Sequence, residues 1–179
     1  MNRSEVTPVV VHDSTREQQT SALTKSGRDV AILAGLQIAC FLALTRLEPR
    51  LFIIHLYQLI PYVAVLILIG YGQARWAYMI GSLVSIAWFG LTYLAGLLGS
   101  AVERLRTFGN NSFDANLVAL LALVIAVAGV LMTVFSRIHW AKELSGRLAT
   151  RRTFLVSLGI VAAYYAVLLR WFWDMIPNS

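Results

Sequence analysis

The chain has 179 residues, 58% of them hydrophobic and only 13% charged, with a mean hydropathy of +0.69. A soluble domain carries roughly a quarter charged residues, so water is the wrong solvent for most of this sequence. Fifteen bases against nine acids give a net charge of +6, which in so apolar a chain acts through its position relative to a bilayer and gives no reason to expect nucleic acid as a partner. The single cysteine, Cys40, permits no internal disulfide and no paired-cysteine metal site.

Residues 1–28 are rich in Ser, Thr and Gln with mixed charge, a composition that predicts a tail without structure of its own. The first apolar run, 30–45, lies between Arg28–Asp29 and Arg46. At 1.5 Å per residue it reaches about 24 Å, short of the ~30 Å hydrocarbon layer. Its segment Gln37-Ile38-Ala39-Cys40 matches a lipoprotein cleavage box in the last three positions, but Gln37 stands where an aliphatic residue belongs. The segment therefore reads as a helix, not a processed leader.

Four longer runs follow, over 51–72, 76–102, 115–136 and 153–173, with no charge before their last turns. Runs of this length without strict alternation exclude a barrel of ~10-residue strands. The expected fold is an all-α integral membrane bundle of five transmembrane helices, or four if the first run does not cross. A single domain over 29–176 follows the tail, and 177–179 form the end. The links over 47–50, 73–75, 103–114 and 137–152 are short, so sequential helices should pack antiparallel. No repeat and no inverted pair of broken helices is visible.

Lys and Arg are retained on the cytoplasmic side. The tail and the second and fourth links hold Arg3, Arg16, Lys25, Arg28, Arg75, Arg137, Lys142, Arg147, Arg151 and Arg152, ten bases against the five of the opposite face, Arg46, Arg50, Arg104, Arg106 and Arg170. This predicts a cytoplasmic N-terminus and an external C-terminus, and the Ala/Leu/Val-rich spans suit a bacterial inner membrane. Trp76 with Tyr78, and Arg170 with Trp171, Phe172 and Trp173, read as interfacial anchors. Gly109-Asn110-Asn111-Ser112 reads as a turn.

The candidate site is a polar stripe on the second span. His55, Gln58 and Tyr62 are spaced three and four apart and share one helical face, while Pro61 frees the carbonyl of Tyr57. His55 is a candidate axial ligand for haem or a chlorophyll-type pigment. The plainer reading is an imidazole near the interface and a Gln58 bonded to another helix, with Gln37 of the first span as a partner amide. Small residues recur four apart at Gly35/Ala39, Gly81/Ser85, Gly96/Ser100, Ala122/Ala126 and Gly159/Ala163, as helix contacts in lipid require. In the fourth link, Trp140, Lys142, Arg147, Arg151 and Arg152 suggest a short surface helix that touches lipid headgroups or an acidic partner.

No phosphate loop, zinc-binding histidine pair or nucleophile elbow occurs, and every Asp and Glu lies in a tail, link or helix end. That distribution counts against proton-coupled transport and intramembrane hydrolysis. The expected role is an accessory or scaffolding subunit of a larger membrane complex, respiratory or photosynthetic in type, in contact with lipid and with other subunits. The alternative is a small oligomeric channel or transporter for an ion or small solute. A lipid-active enzyme, with His55 and His139 as its only imidazoles near the membrane, comes third.

Overall fold

The computed structural model describes residues 13–107, 112–143 and 147–172. The tail over 1–12, the turn tip at 109–111, Trp173 and the end at 177–179 lie outside the described residues, as do the side chains of Arg147 and Phe172. Six helices account for nearly all of the rest: α1 (Asp13–Leu47), α2 (Phe52–Gly70), α3 (Ala74–Leu94), α4 (Leu97–Arg106), α5 (Phe113–Glu143) and α6 (Arg147–Phe172). All but α4 contain a segment long and apolar enough to cross a membrane.

The first run is long enough to cross. The helix takes in the charged flanks, so the apolar segment is Gly27–Leu47, 21 residues and about 31 Å. Upstream, α1 continues to Asp13, through half of the segment that composition assigns to the tail. Extending an existing helix costs no nucleation, so residues that would be coil alone are carried along.

Each break has a local cause. Pro49 ends α1 and opens a 3-10 turn over Pro49–Leu51, with Glu48 pushed out of helical geometry. Gly72, at φ +71°, lets the chain leave α2: the Gln73 amide donates to Leu68 O at 2.7 Å and the Gly72 amide to Ile69 O at 3.0 Å. Gly96, also at φ +71°, does the same after α3. The third span therefore stops at Leu94, not near 102, and α4 is a separate helix packed on α5. Among the described residues the fourth link forms no helix of its own: 137–143 are the last turns of α5 and 147–152 the first of α6, because strong helix formers such as Ala141, Lys142 and Glu143 carry α5 past its apolar stretch.

In the packed bundle α3 touches α1, α2, α4, α5 and α6. Around it α1 leans on both α2 and α5, and α6 lies on α3 with a narrow contact to α2. Packing of α5 against α6, expected from the short link, is not among the extensive helix contacts of the described residues. The fully buried Phe41, Tyr62, Val65, Tyr78, Ile125 and Met132 form the centre, with Trp88 beside them.

Close approach of α3 and α5 depends on small residues. A Cβ on Gly81 would lie 3.1 Å from Met132 Sδ, and one on Gly129 would lie 3.4 Å from Gln37 Nε2 and 3.5 Å from Ser85 Cβ. The Gly81/Ser85 pair thus serves a helix contact. A Cβ on Gly35 or Gly159 would meet nothing within 4 Å, so the same spacing has no contact to serve there.

The link between α2 and α6 is a pair of tyrosines. Tyr57 and Tyr164 stack with centroids 4.6 Å apart and planes at 10°. The Tyr164 hydroxyl donates to Tyr57 O, the carbonyl that Pro61 deprives of its helical donor, and the Tyr57 hydroxyl donates to Tyr164 O at 3.4 Å. Tyr164→Phe is expected to destabilise by about 1 kcal/mol, while Tyr164→Phe in a Pro61→Ala background should cost less, because the carbonyl then has its own donor. Equal losses in both backgrounds, read by denaturant titration in micelles, would remove the connection.

Candidate functional site

The polar stripe of α2 faces inward at His55 and Tyr62, which are 7% and 1% exposed. Both rings meet Phe41 of α1, His55 at 6.5 Å and Tyr62 at 5.9 Å between centroids, and Phe41 in turn takes Trp88 edge-on at 6.2 Å. Gln58, between them in sequence, is half-buried, and the structure does not join it to Gln37.

His55 does not wait at the interface for water. Its Nε2 lies 3.2 Å from Glu48 Oε2, across the turn that Pro49 makes. One ring nitrogen is therefore held by a carboxylate, and the other, Nδ1, is buried without a hydrogen-bond partner among the described residues. Glu48 and Phe41 flank the ring, so a metal at Nε2 would have to displace the carboxylate. The purified protein is accordingly expected to show no haem or pigment band in its absorption spectrum. A stoichiometric band lost in His55→Phe would reverse that assignment.

Gln37 is fully buried and turns away from α2. Its Nε2 donates to Ile125 O of α5 at 3.1 Å, and its Oε1 is buried without a hydrogen-bond partner among the described residues. The expected Gln37–Gln58 amide pair is thus replaced by a contact to α5, because α1 lies between α2 and α5 and its polar position falls on the α5 side. Since Ile125 O is a helical carbonyl, the extra bond is a modest one. Gln37→Leu is expected to change stability by no more than about 1 kcal/mol, in either direction. A loss several times larger in the same titration would mean that the amide holds a network and not a single bond.

Two further polar groups reach the same level. Tyr62 turns its hydroxyl toward Ser85 of α3 without completing a hydrogen bond, and Ser85 Oγ lies 3.6 Å from Met132 Sδ. Tyr165 of α6 donates to Val84 O at 3.1 Å.

At the opposite end a second carboxylate–imidazole pair closes the bundle. His139 Nε2 of α5 stands 3.7 Å from Asp29 Oδ2 of α1, and the His139 ring lies 5.8 Å from Tyr78. Tyr78 is 1% exposed and belongs to the core, not to an interfacial belt. Trp140, one residue on, is half-buried and packs in part against the core. Lys142, Arg151 and Arg152 are exposed and free to meet headgroups or a partner.

Glu48, Asp29, Phe41 and Ser85 belong to the site without standing out in the sequence. The available signal was position: Glu48 directly precedes the helix-breaking Pro49, and Asp29 borders the first apolar run. Among the described residues no group of three or more His, Cys, Asp or Glu side chains gathers as a metal site would require. One open apolar groove of about 260 Å³ lies on the outer surface between α1 and α5, lined by Leu33, Leu36, Val124, Val127 and Leu131 among others.

Fold and site together define a helical, apolar membrane bundle with a closed aromatic centre and a polar pair at each end. Comparison with protein-family models, curated proteins and solved structures finds no match.

Proposed function

We propose that the chain is an accessory or scaffolding subunit of a larger membrane complex, with no catalysis of its own. The Ala/Leu/Val-rich spans suit a bacterial inner membrane, and the charge pattern of the links supports a cytoplasmic N-terminus and an external C-terminus. One observation carries the functional reading: the centre is filled by Phe41, Tyr62, Tyr78 and Trp88, while the outer side of α6 is unengaged. Among its described side chains that helix buries only Thr153, Ser157, Val161, Tyr165 and Leu168, and it exposes Leu155, Ile160, Val167 and the Gly159/Ala163 pair. A closed interior leaves binding to the surface, and small residues on a free helix face allow another helix to approach closely.

A photoreactive amino acid placed at Ala163 tests this in native membranes. The expected result is one discrete adduct with a different membrane protein, absent when the probe sits at Ile53 on α2. Adducts with lipid alone at both positions would contradict the subunit role.

A further inference from the structure

Polar groups line the inward faces of the helices from one end of the bundle to the other. On α1 the buried stripe Val30, Leu33, Ala34, Gln37, Phe41 and Leu44 has Asp29 at one end and Glu48 at the other. At 1.5 Å per residue those carboxylates are about 28 Å apart along the axis, close to the thickness of the hydrocarbon layer. Each holds an imidazole from a neighbouring helix, Glu48 with His55 and Asp29 with His139.

Between the two pairs the periodicity of α3 places Tyr78, Ser82 and Ser85 on one inward side, and that of α5 places His139, Ser136 and Gly129 on another, all buried or nearly so. Tyr62 and Gln37 enter at mid-height. Tyr62 Oη, Gln37 Oε1 and Ser136 Oγ are buried without hydrogen-bond partners among the described residues. Unpaired polar atoms inside a membrane protein are costly, and where they persist they mark places for water, transit or binding. Two apolar side chains interrupt the file. Phe41 sits against both His55 and Tyr62, and Met132, fully buried, sits against Ser85 and Gly81.

We propose that this file is a proton path across the bilayer, held shut by Phe41 and Met132. A proton taken up at the Glu48–His55 pair passes to Tyr62 and Ser85, each hydroxyl accepting one proton on its oxygen as it releases its own. It leaves through the His139–Asp29 pair. Water completes the gaps once the apolar constrictions part, as in hydrophobic gates that work by dewetting. One positive charge crosses, and every group ends in the protonation state in which it began. The path is independent of what the outer face of α6 binds, so crosslinking and proton flux fail separately.

The test is proton flux into liposomes carrying the purified full chain, driven by a potassium diffusion potential and read by an internal pH dye. Phe41→Val is expected to raise flux several-fold over the wild type, and adding Tyr62→Phe to return it to the wild-type level. Equal flux in the wild type and a monodisperse Phe41→Val, or undiminished flux in the double variant, would overturn the path. Should Phe41→Val fail to fold, Met132→Ala opens the second constriction: it should raise flux several-fold, and a monodisperse Met132→Ala with wild-type flux would overturn the path.

Discussion

Replacing Phe41 with alanine is expected to lower the stability of the bundle by about 3 kcal/mol or more, the range seen when a fully buried aromatic side chain is removed. Phe41 is 1% exposed and joins three helices at once, meeting His55 and Tyr62 on α2 and Trp88 on α3. Lipid is as apolar as the side chain, so the loss comes from dispersion contacts and the unfilled space, not from exposure to water. Phe41→Leu, which keeps most of the volume, should cost less than about 1.5 kcal/mol. Denaturant titration in micelles orders the variants, and an alanine variant as stable as the leucine one would show that the aromatic centre is not tightly packed.

The second large effect is the opposite fault, overpacking. Gly81→Leu is expected to destabilise by about 2–3 kcal/mol. The first added carbon already lies 3.1 Å from Met132 Sδ and 3.5 Å from Val65 Cγ2, with α5 and α2 behind them. Gly81→Ala is milder, since the thioether of Met132 can swing aside. Gly159→Leu supplies the control: its added carbon meets nothing within 4 Å, so the isolated protein should tolerate it. Equal losses at both glycines would mean that α3 and α5 do not approach as described.

These two glycines also show what a sequence can and cannot disclose. Gly81/Ser85 and Gly159/Ala163 have identical spacing, and only tertiary packing tells that the first pair is covered and the second open. The spans were legible because crossing a membrane demands long apolar runs, a constraint written directly in residue type. Their ends were not, because α1 and α5 continue on helix propensity after hydropathy stops, and because Gly96 breaks a run that stays apolar on both sides.

The site was legible to a similar depth. Spacing placed His55 and Tyr62 on one inward face, and Pro61 pointed to the Tyr57 carbonyl that Tyr164 meets. Periodicity names a face but not the neighbour, so Gln37 was assigned to α2 when it serves α5. It also gives no sign that Glu48, on the far side of a proline turn, would fold back onto His55. The acids counted as lying outside the spans are indeed at helix ends. Two of them, Glu48 and Asp29, meet imidazoles at the ends of the bundle, and that changes what the interior can do.

Membership of a larger assembly is tested most directly by native mass spectrometry of the protein released from its own membranes in mild detergent. The predicted result is the 19.9 kDa chain in fixed stoichiometry with one or more different membrane proteins, and its release as a free chain when Gly159→Trp blocks the outer face of α6. A population consisting only of monomer or of homo-oligomer, unchanged by that substitution, would contradict it.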